Sequence, residues 1–375
     1  MDLELNDDQQ LFVETTRRFL EAESPLTSVR ELHESADGFD REKWRQGAAL
    51  GWTAMLVPEE QGGGSVGGNG LLDLALVAEE VGRLIAPGPL LPVNVVADAV
   101  ARAGTAEQRD ELLPPLAAGE AIATWAFDEG DGRWDATGVR LRAEPADGGW
   151  VLDGAKSFVQ DAAVADWFLV TARTGEGLSQ FVVPRGTAGV TVSALESLDL
   201  VRRFGEVAFE GVRLPGSALL GTAGGAGADV ERQLQVALVI QNAETVGATQ
   251  RVFEFTLEYA RDRVAFGRPI GSYQALKHRL AEMKTSLEGC FATATASARA
   301  VASGADDAAE LVSVAKAYIG DRGPAIAQDC VQLHGGIGVT WDHDLHVYLR
   351  RITQNAALYG SPRQHRERVA TLLGM

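Results

Sequence analysis

The chain has 375 residues, 46% of them hydrophobic and 23% charged, and it carries a formal net charge of -18. This acidic balance argues against nucleic-acid binding by general electrostatic attraction. The acidic N-terminus has no apolar core, no apolar run approaches transmembrane length, and Cys290 and Cys330 both fall in helical patterns. The sequence therefore predicts a cytoplasmic protein of two or three domains without disulfides or a membrane segment.

The first part of the chain predicts helices. Asn6 can cap one helix, with Gln9 at the capping-box position, and Asp40 can cap another. A strong apolar helix is predicted over residues 71–85. We therefore expect an all-helical N-terminal domain over residues 1–118.

The middle of the chain changes to short segments with strand character, separated by Gly, Asp and Pro clusters. Such spacing predicts a small antiparallel β-barrel or sandwich over residues 119–226. The strand candidates are residues 121–127, 139–143, 150–152, 167–171, 179–183, 189–193 and 206–209.

From residue 227 to residue 375 the pattern is helical again, with four or five long helices. The predicted fold class is therefore α+β, with helices on both sides of a central β-domain. The predicted domains are an N-terminal helical domain (1–118), a small antiparallel β-domain (119–226) and a C-terminal four-helix-bundle domain (227–375).

One stretch of the C-terminal part has the features of a ligand site. A long apolar helix should stop at Gly267, and Ser272 can cap the next helix. Arg263, Phe266 and Gln274 then surround one helix–helix turn and offer a fixed cation, an aromatic ring and an amide. This set suits a ligand with phosphate groups and a heteroaromatic part. The alternative is an arginine at a helix end beside a packed phenylalanine.

A second motif, Gln-Leu-His-Gly-Gly-Ile-Gly at residues 332–338, has glycines that allow a ligand to approach the backbone. Together, the patterns Arg-x-x-Phe-Gly-x-x-Ile-x-x-x-Gln and Gln-x-x-Gly-Gly-x-Gly resemble the acyl-CoA dehydrogenase family of flavoproteins. The resemblance covers nearly the whole chain. It implies contacts to the adenosine-pyrophosphate part of a neighbouring subunit's FAD from Arg263, Phe266, Gln274, Gln332, Gly335 and Gly336.

In that family a carboxylate removes the α-proton of an acyl-CoA thioester, and a hydride leaves the β-carbon for N5 of the flavin. The resemblance places Tyr359 where the base Glu usually stands and Ala237 at an alternative base position. For Tyr359 to act as a base near neutral pH, its pKa would have to fall from about 10 to near 7, at roughly 4 kcal/mol. We therefore expect Tyr359 to fill the space of a lost base.

The segments that cradle the flavin ring in the family also differ here. Trp134 stands where a small Ser is usual, and it should crowd a flavin. In the next segment, usually Lys-x-Trp-Ile-Thr, the resemblance implies that Phe158 can stack on the ring and Gln160 can bond its N5.

Residues 341–351 resemble a subgroup of actinobacterial chains that includes subunits of α2β2 heterotetramers acting on bulky, often steroid-derived, acyl-CoAs. The departures from the family pattern fall in the catalytic pocket, whereas the residues implied to contact the adenosine-pyrophosphate part of FAD match the pattern. This favours a chain that serves the FAD of a related subunit and is not catalytic alone. No second metal motif accompanies the possible ligands Asp342, His343, Asp344 and His346, so no metal site is predicted.

Two other functions stay open. A self-sufficient homotetrameric dehydrogenase of an acyl-CoA or an acyl carrier protein would need a different base. Glu244 is the best candidate, and its alternative role is a buried or interface carboxylate. The other possibility is a non-enzymatic scaffold that binds a partner or an acyl carrier.

Overall fold

The computed structural model describes residues 5–375 and confirms the predicted α+β fold class. Helices run to Ala117, strands from Ala123 to Leu220, and helices again from Gly227. The domain limits 1–118, 119–226 and 227–375 stay predictions. Among residues 5–375 no helix combines the length and the apolar character needed to cross a membrane.

The N-terminal helices begin where side-chain caps are available. The Asn6 side chain accepts from the Gln9 amide and completes a capping box, and Asp40 accepts from two amides of its helix. The second helix was not predicted: it has only eight residues, and Pro25 at its N-cap position makes no side-chain hydrogen bond. The helices are α1 (Asp7–Glu23), α2 (Leu26–His33), α3 (Arg41–Ala49), α4 (Gly70–Leu84), α5 (Leu90–Ala103) and α6 (Ala106–Ala117).

The central strands form one sheet. They are β1 (Ala123–Ala126), β2 (Arg142–Ala146), β3 (Gly149–Gln160), β4 (Trp167–Thr174), β5 (Gly177–Pro184), β6 (Val190–Leu195), β7 (Phe204–Pro215) and β8 (Leu219–Leu220). The order is β6-β7-β3-β2-β4-β5-β8, with β1 also paired to β4.

Several details of the sheet differ from the prediction: β7 extends well beyond residues 206–209, and β8 was not predicted. The β1–β4 pair is parallel, because the β2–β3 hairpin separates these strands along the chain. The strand β3 extends far beyond the predicted residues 150–152. Its later part contains Asp153 and Gly154, which have low strand propensity, and pairing with β7 holds it extended.

The C-terminal helices are α7 (Gly227–Asp262), α8 (Gln274–Ser303), α9 (Ala308–His334), α10 (Leu345–Ala357) and α11 (Pro362–Leu372). Helices α4 and α7 touch through their backbones. A Cβ on Gly82 would lie 1.9 Å from the Glu244 carbonyl oxygen, and one on Gly247 would lie 2.0 Å from the Glu79 carbonyl oxygen. Glycine at both positions therefore fixes the N-terminal helices to the bundle.

The connection between α7 and α8 is a hairpin, so the predicted helix stop at Gly267 is wrong. The helix ends at Asp262, and β9 (Val264–Ala265) pairs with β10 (Arg268–Pro269). Phe266 and Gly267 form the turn with φ values of 51° and 81°. Positive φ at both central residues is what a type I′ hairpin turn requires. Strands of two residues are too short to show an alternating pattern.

The predicted cap of α8 is also wrong. The Ser272 hydroxyl donates to the Pro269 carbonyl oxygen at 2.6 Å, and the N-cap position is taken by Tyr273 without a side-chain hydrogen bond. The hairpin is followed by a short turn that uses the serine hydroxyl, so it cannot cap the helix.

The two cysteines are buried free thiols. Burial raises the pKa of Cys290 and of Cys330 to about 12. The thiolate, which is the reactive form, is therefore disfavoured at both positions, and the two residues act as small apolar side chains.

A lysine is buried in the helical bundle. Lys316 on α9 donates from Nζ to the Gln241 Oε1 at 2.6 Å and to the Asn355 carbonyl oxygen. Both acceptors are neutral, and burial lowers the pKa of Lys316 to about 7. The charged form is therefore held in the folded chain at a cost in free energy.

Replacing Lys316 by methionine should flatten the pH dependence of stability above neutral pH. An unfolded lysine keeps its proton to about pH 10, whereas the folded chain releases it near pH 7. Between these two pH values the free energy of unfolding of the wild-type protein should therefore rise by up to about 1.4 kcal/mol per pH unit. The test is to compare the thermal unfolding midpoints at about pH 7 and about pH 8.5. The control is Lys284→Met, which removes a lysine from the surface. Equal gains in wild type and Lys316→Met would contradict it.

Candidate cofactor surface and a closed pocket

The residues of the two predicted motifs lie together at one end of the helical bundle. The ends of α7 and α9 meet because the Tyr259 ring stacks on the His334 imidazole with centroids 4.3 Å apart. The Arg279 guanidinium of α8 donates to the Asp329 carboxylate of α9 at 2.8 Å. We call this region the adenine-side surface; its residues are Arg263, Phe266, Gln274, Gln332, Gly335 and Gly336.

The adenine-side surface is exposed and partly apolar. All of its residues are exposed, and Phe266 is 97% exposed at the tip of the hairpin. The neighbouring Val264, Val339 and Trp341 also present large apolar area to solvent. Apolar side chains gathered in one region of a surface mark a contact with another molecule.

Three of the four acidic and histidine residues after the second motif, namely His343, Asp344 and His346, contact other groups. The His343 ring lies 4.9 Å from the His334 ring, and the His346 ring stacks on Trp341 at 4.7 Å. The Asp344 carboxylate pairs with the Arg30 guanidinium at 2.8 Å. Within residues 5–375 no group of three or more His, Cys, Asp or Glu is arranged to hold a metal ion.

A second pocket lies between β1, β3 and the turn before α11, and four aromatic rings fill it. The ring centroids of Trp134 and Tyr359 are 4.8 Å apart, those of Trp134 and Phe127 6.4 Å, and those of Phe127 and Trp125 4.5 Å. A cavity of about 10 Å³ remains, which is at the lower limit for one water molecule. We call this region the ring pocket.

Phe158 and Gln160 lie on β3 beside the ring pocket. Phe158 has a φ of 49°, and the residue is 45% exposed. The pairing of β3 with β7 shifts between Lys156 and Val159, and this irregularity accounts for the left-handed conformation. Gln160 is buried and donates from Nε2 to the Asp161 Oδ2 at 3.0 Å. The Gln160 amide group is therefore engaged within the protein.

Tyr359 is a buried phenol at the turn before α11. Burial raises its pKa above the ordinary value, although the nearby Arg202 acts in the opposite direction. The phenolate is therefore even less populated near neutral pH than in a free tyrosine. Its backbone carbonyl accepts from His365 at 2.9 Å, which fixes the turn.

The other candidate base, Glu244, belongs to a buried ion network. Its carboxylate accepts from Arg202 at 2.6 and 2.7 Å, from Arg351 at 2.5 Å and from Asn355 at 3.1 Å. Asp199 pairs with Arg351 and balances the second guanidinium. Burial acts to raise the pKa of Glu244, but the two guanidinium groups outweigh it and hold the pKa below its ordinary value. A carboxylate kept ionised in this way is poorly suited to accept a proton near neutral pH.

Sequence reasoning missed one titratable residue of the ring pocket, Asp128. This side chain is 2% exposed and its Oδ1 accepts from the Gly130 amide at 2.8 Å. Its Oδ2 has no hydrogen-bond partner within residues 5–375, and burial raises the pKa of the carboxyl. The sequence signal was an acidic residue two positions after the buried strand β1.

Family models for the N-terminal, middle and C-terminal domains of acyl-CoA dehydrogenases match residues 6–120, 124–212 and 226–373. The chain belongs to the acyl-CoA dehydrogenase family. It is 31% identical to the acyl-CoA dehydrogenase IpdE2 of Mycolicibacterium smegmatis, over 97% of this chain and 98% of that relative.

Solved structures show the same relationship. The ChsE4-ChsE5 complex from Mycobacterium tuberculosis contains a chain with a TM-score of 0.91 and 29% identity, covering 100% of this chain and 99% of that chain. A glutaryl-CoA dehydrogenase from Mycobacterium smegmatis in complex with FADH2 has a TM-score of 0.90 and 27% identity. The match covers 99% of this chain and 96% of that chain. The resemblance predicted from the two motifs is therefore confirmed.

The residues of this acyl-CoA dehydrogenase homologue fit only part of the cofactor FAD. On the adenine-side surface, a Cβ added to Gly335 or Gly336 would meet no atom within 4 Å, so the space beside the backbone is open. In the ring pocket, the rings of Trp134 and Tyr359 leave only about 10 Å³. A three-ring heteroaromatic group is far larger than this cavity.

Proposed function

We propose that this chain is the non-catalytic partner subunit of a heteromeric acyl-CoA dehydrogenase. Its adenine-side surface binds the FAD whose ring lies in a related subunit, and that subunit carries the catalytic carboxylate. The observation that supports this proposal is the asymmetry between an exposed, open adenine-side surface and a ring pocket filled by Trp134 and Tyr359.

Each residue of the adenine-side surface has a role in this proposal. Arg263 holds the pyrophosphate by charge-assisted hydrogen bonds, and Phe266 covers the adenine. Gln274 and Gln332 offer amides for hydrogen bonds. Gly335 and Gly336 leave their backbone accessible. When bound, FAD supplies the hydride acceptor for α,β-dehydrogenation of an acyl-CoA thioester.

The exposed apolar residues around this surface support an assembly of chains. Burial of a large apolar side chain is favourable by about 1.5–3 kcal/mol, so Phe266 and its neighbours gain from a partner's cover. One of the similar solved structures is itself a complex, that of ChsE4 with ChsE5. A related subunit is therefore favoured over a second copy of this chain, because two copies would both lack the base.

A self-sufficient enzyme acting on an acyl-CoA or an acyl carrier protein is less well supported. Its proposed base, Glu244, is bound by two guanidinium groups, and its ring pocket is closed. The FAD content of the purified protein tests the three possibilities. We expect little FAD in the chain alone and stoichiometric FAD after co-expression with a related subunit. Stoichiometric FAD in the isolated chain would indicate self-sufficiency, and none under either condition would indicate a scaffold.

Replacing Tyr359 by phenylalanine should leave kcat of the active assembly within about twofold, because loss of a true general base costs on the order of 10² to 10⁴. The measurement is kcat of the co-expressed assembly at equal FAD content. Replacement of the related subunit's catalytic carboxylate by its amide serves as the positive control. A hundredfold fall for Tyr359→Phe, with intact folding, would make the phenol catalytic.

A further inference from the structure

A groove that neither of the preceding regions includes lies between helices α4, α7 and α8. Each helix contributes one face to a cavity of about 690 Å³, and small-molecule sites usually have about 300–1,000 Å³. The described residues that line it are distinct from those of the ring pocket and of the adenine-side surface. The groove is therefore a separate candidate site.

The middle of the groove is apolar and is lined by small side chains. Ala75 on α4, Ala243 on α7 and Ala294 on α8 all face it. The wall formed by α4 extends from Leu72 to Arg83, a length of about 16 Å at the usual rise of an α-helix. This shape suits an elongated apolar body that lies along the groove.

The two walls meet at one end of the groove. Asn69, directly before α4, donates from Nδ2 to the Ala302 carbonyl oxygen near the end of α8 at 3.4 Å. Leu72 and Ala298 line the cavity about one turn from this contact. An apolar chain therefore fits at this end, and a charged group would lie at the opposite end.

The cationic groups that line the groove are already engaged. The Arg83 guanidinium donates to the Glu254 carboxylate at 3.0 and 2.8 Å, and the Lys284 ammonium pairs with the Glu288 carboxylate at 2.5 Å. Arg299 also interacts within the chain. An anionic ligand would therefore have to compete with carboxylates that the protein itself supplies.

Two acceptors in the groove have no donor. Within residues 5–375, the Glu79 carboxyl accepts no hydrogen bond, and burial and the neighbouring Glu80 raise its pKa to about 7. The Oε1 of Gln250 is buried and lacks a partner in the same part of the chain. A Cβ on Gly247, one turn before Gln250, would lie 2.0 Å from the Glu79 carbonyl oxygen. The two acceptors therefore lie on neighbouring turns of α4 and α7.

These observations define the head group of a ligand. The two guanidinium groups near Glu79 compensate its charge only in part, because each donates two hydrogen bonds to another glutamate. A protonated primary amine brings one positive charge and three N–H donors, so one head group can serve both acceptors. A carboxylate would add like charge beside Glu79 and would offer no donor. The chemistry therefore selects a cationic head group.

We propose that the groove between α4, α7 and α8 is a binding site for a single-chain amphiphile with a protonated primary amine. Its apolar chain lies along the alanine-lined middle of the groove, and its ammonium group donates to Glu79 and Gln250. The site is distinct from the surface assigned to FAD and goes beyond the proposed function.

The probe is dodecylamine, titrated by calorimetry into the isolated full-length chain near neutral pH and below its micelle-forming concentration. We expect it to bind at least about tenfold more tightly than dodecanoate, because only the amine can donate charge-assisted hydrogen bonds to the two acceptors. Decylamine should bind about tenfold more weakly than dodecylamine, because two methylene groups are lost from the apolar contact.

The variant Glu79→Gln keeps the size of the side chain and removes its charge. It should weaken dodecylamine binding at least about tenfold. Binding of dodecanol, which has the same chain and a neutral head, should stay within about twofold, because the apolar contact is unchanged. The matched control is Glu258→Gln, an exposed residue of α7 outside the groove, which should change neither affinity.

The variant Ala75→Phe should fill the groove and abolish binding of both dodecylamine and dodecanol. If it does not fold, Ala292→Phe, on the exposed part of α8 that lines the groove, is judged by the same criterion. No binding of dodecylamine, equal or tighter binding of dodecanoate, or an unchanged affinity of Glu79→Gln would each overturn the proposal. If dodecylamine does not bind and Ala75→Phe changes the molar mass of the chain in solution, the groove is an interface between copies instead. Because no FAD is present, these outcomes are independent of the proposed function.

Discussion

Replacing Glu244 by alanine should lower the free energy of unfolding by about 3–5 kcal/mol, because it leaves the buried Arg202 guanidinium without its anion. Of the side-chain hydrogen bonds and ion pairs within residues 5–375, Arg202 then keeps the one to Asn355 and Arg351 keeps those to Asp199. The network joins the loop before β7 to α7 and α10, so its loss weakens the contact between the β-domain and the bundle. Denaturant unfolding of the isolated chain measures the change.

The matched control for Glu244→Ala is Glu288→Ala. Glu288 pairs with Lys284 at 2.5 Å on the exposed face of α8, where an ion pair contributes about 0–1 kcal/mol. Similarly small decreases in the free energy of unfolding for both variants would contradict the structural role of the network. If Glu244→Ala were stable but abolished activity of the assembly, Glu244 would regain its candidacy as a base.

Replacing Arg263 by alanine should weaken FAD binding by the assembly at least about thirtyfold, which corresponds to about 2 kcal/mol for loss of a paired charge. Arg263 is exposed in the isolated chain. The dissociation constant of FAD, measured on apo-assembly by fluorescence, gives the change. Assembly itself is checked by the molar mass in solution.

The control for Arg263→Ala is Arg268→Ala on the same hairpin. The Arg268 guanidinium lies 4.0 Å above the Tyr273 ring, so it is already engaged, while its charge matches that of Arg263. We expect less than about a threefold change, because only general electrostatic attraction is lost. Equal losses of FAD affinity in both variants would show that Arg263 acts through charge alone. An unchanged FAD affinity of Arg263→Ala would refute the contact of Arg263 with FAD.

The local features of the fold were predictable because they depend on neighbouring residues. The Asn6–Gln9 capping box and the Asp40 cap follow from side chains that reach amides three residues away. The succession of helices, strands and helices follows from apolar periodicity. The family resemblance followed from two motifs whose residues the structure brings to one surface.

The contents of the ring pocket and the state of Glu244 were decided only by the tertiary structure. Glu244 meets Arg202 and Arg351 across separations of 42 and 107 residues, and no local pattern encodes such pairs. Trp134 could be identified as an obstacle from the sequence, but its packing on Tyr359 and the unsatisfied Asp128 oxygen depend on how three parts of the chain converge. Sequence periodicity reports which face of an element is apolar; burial, pairing and pKa depend on what the rest of the chain places against that face.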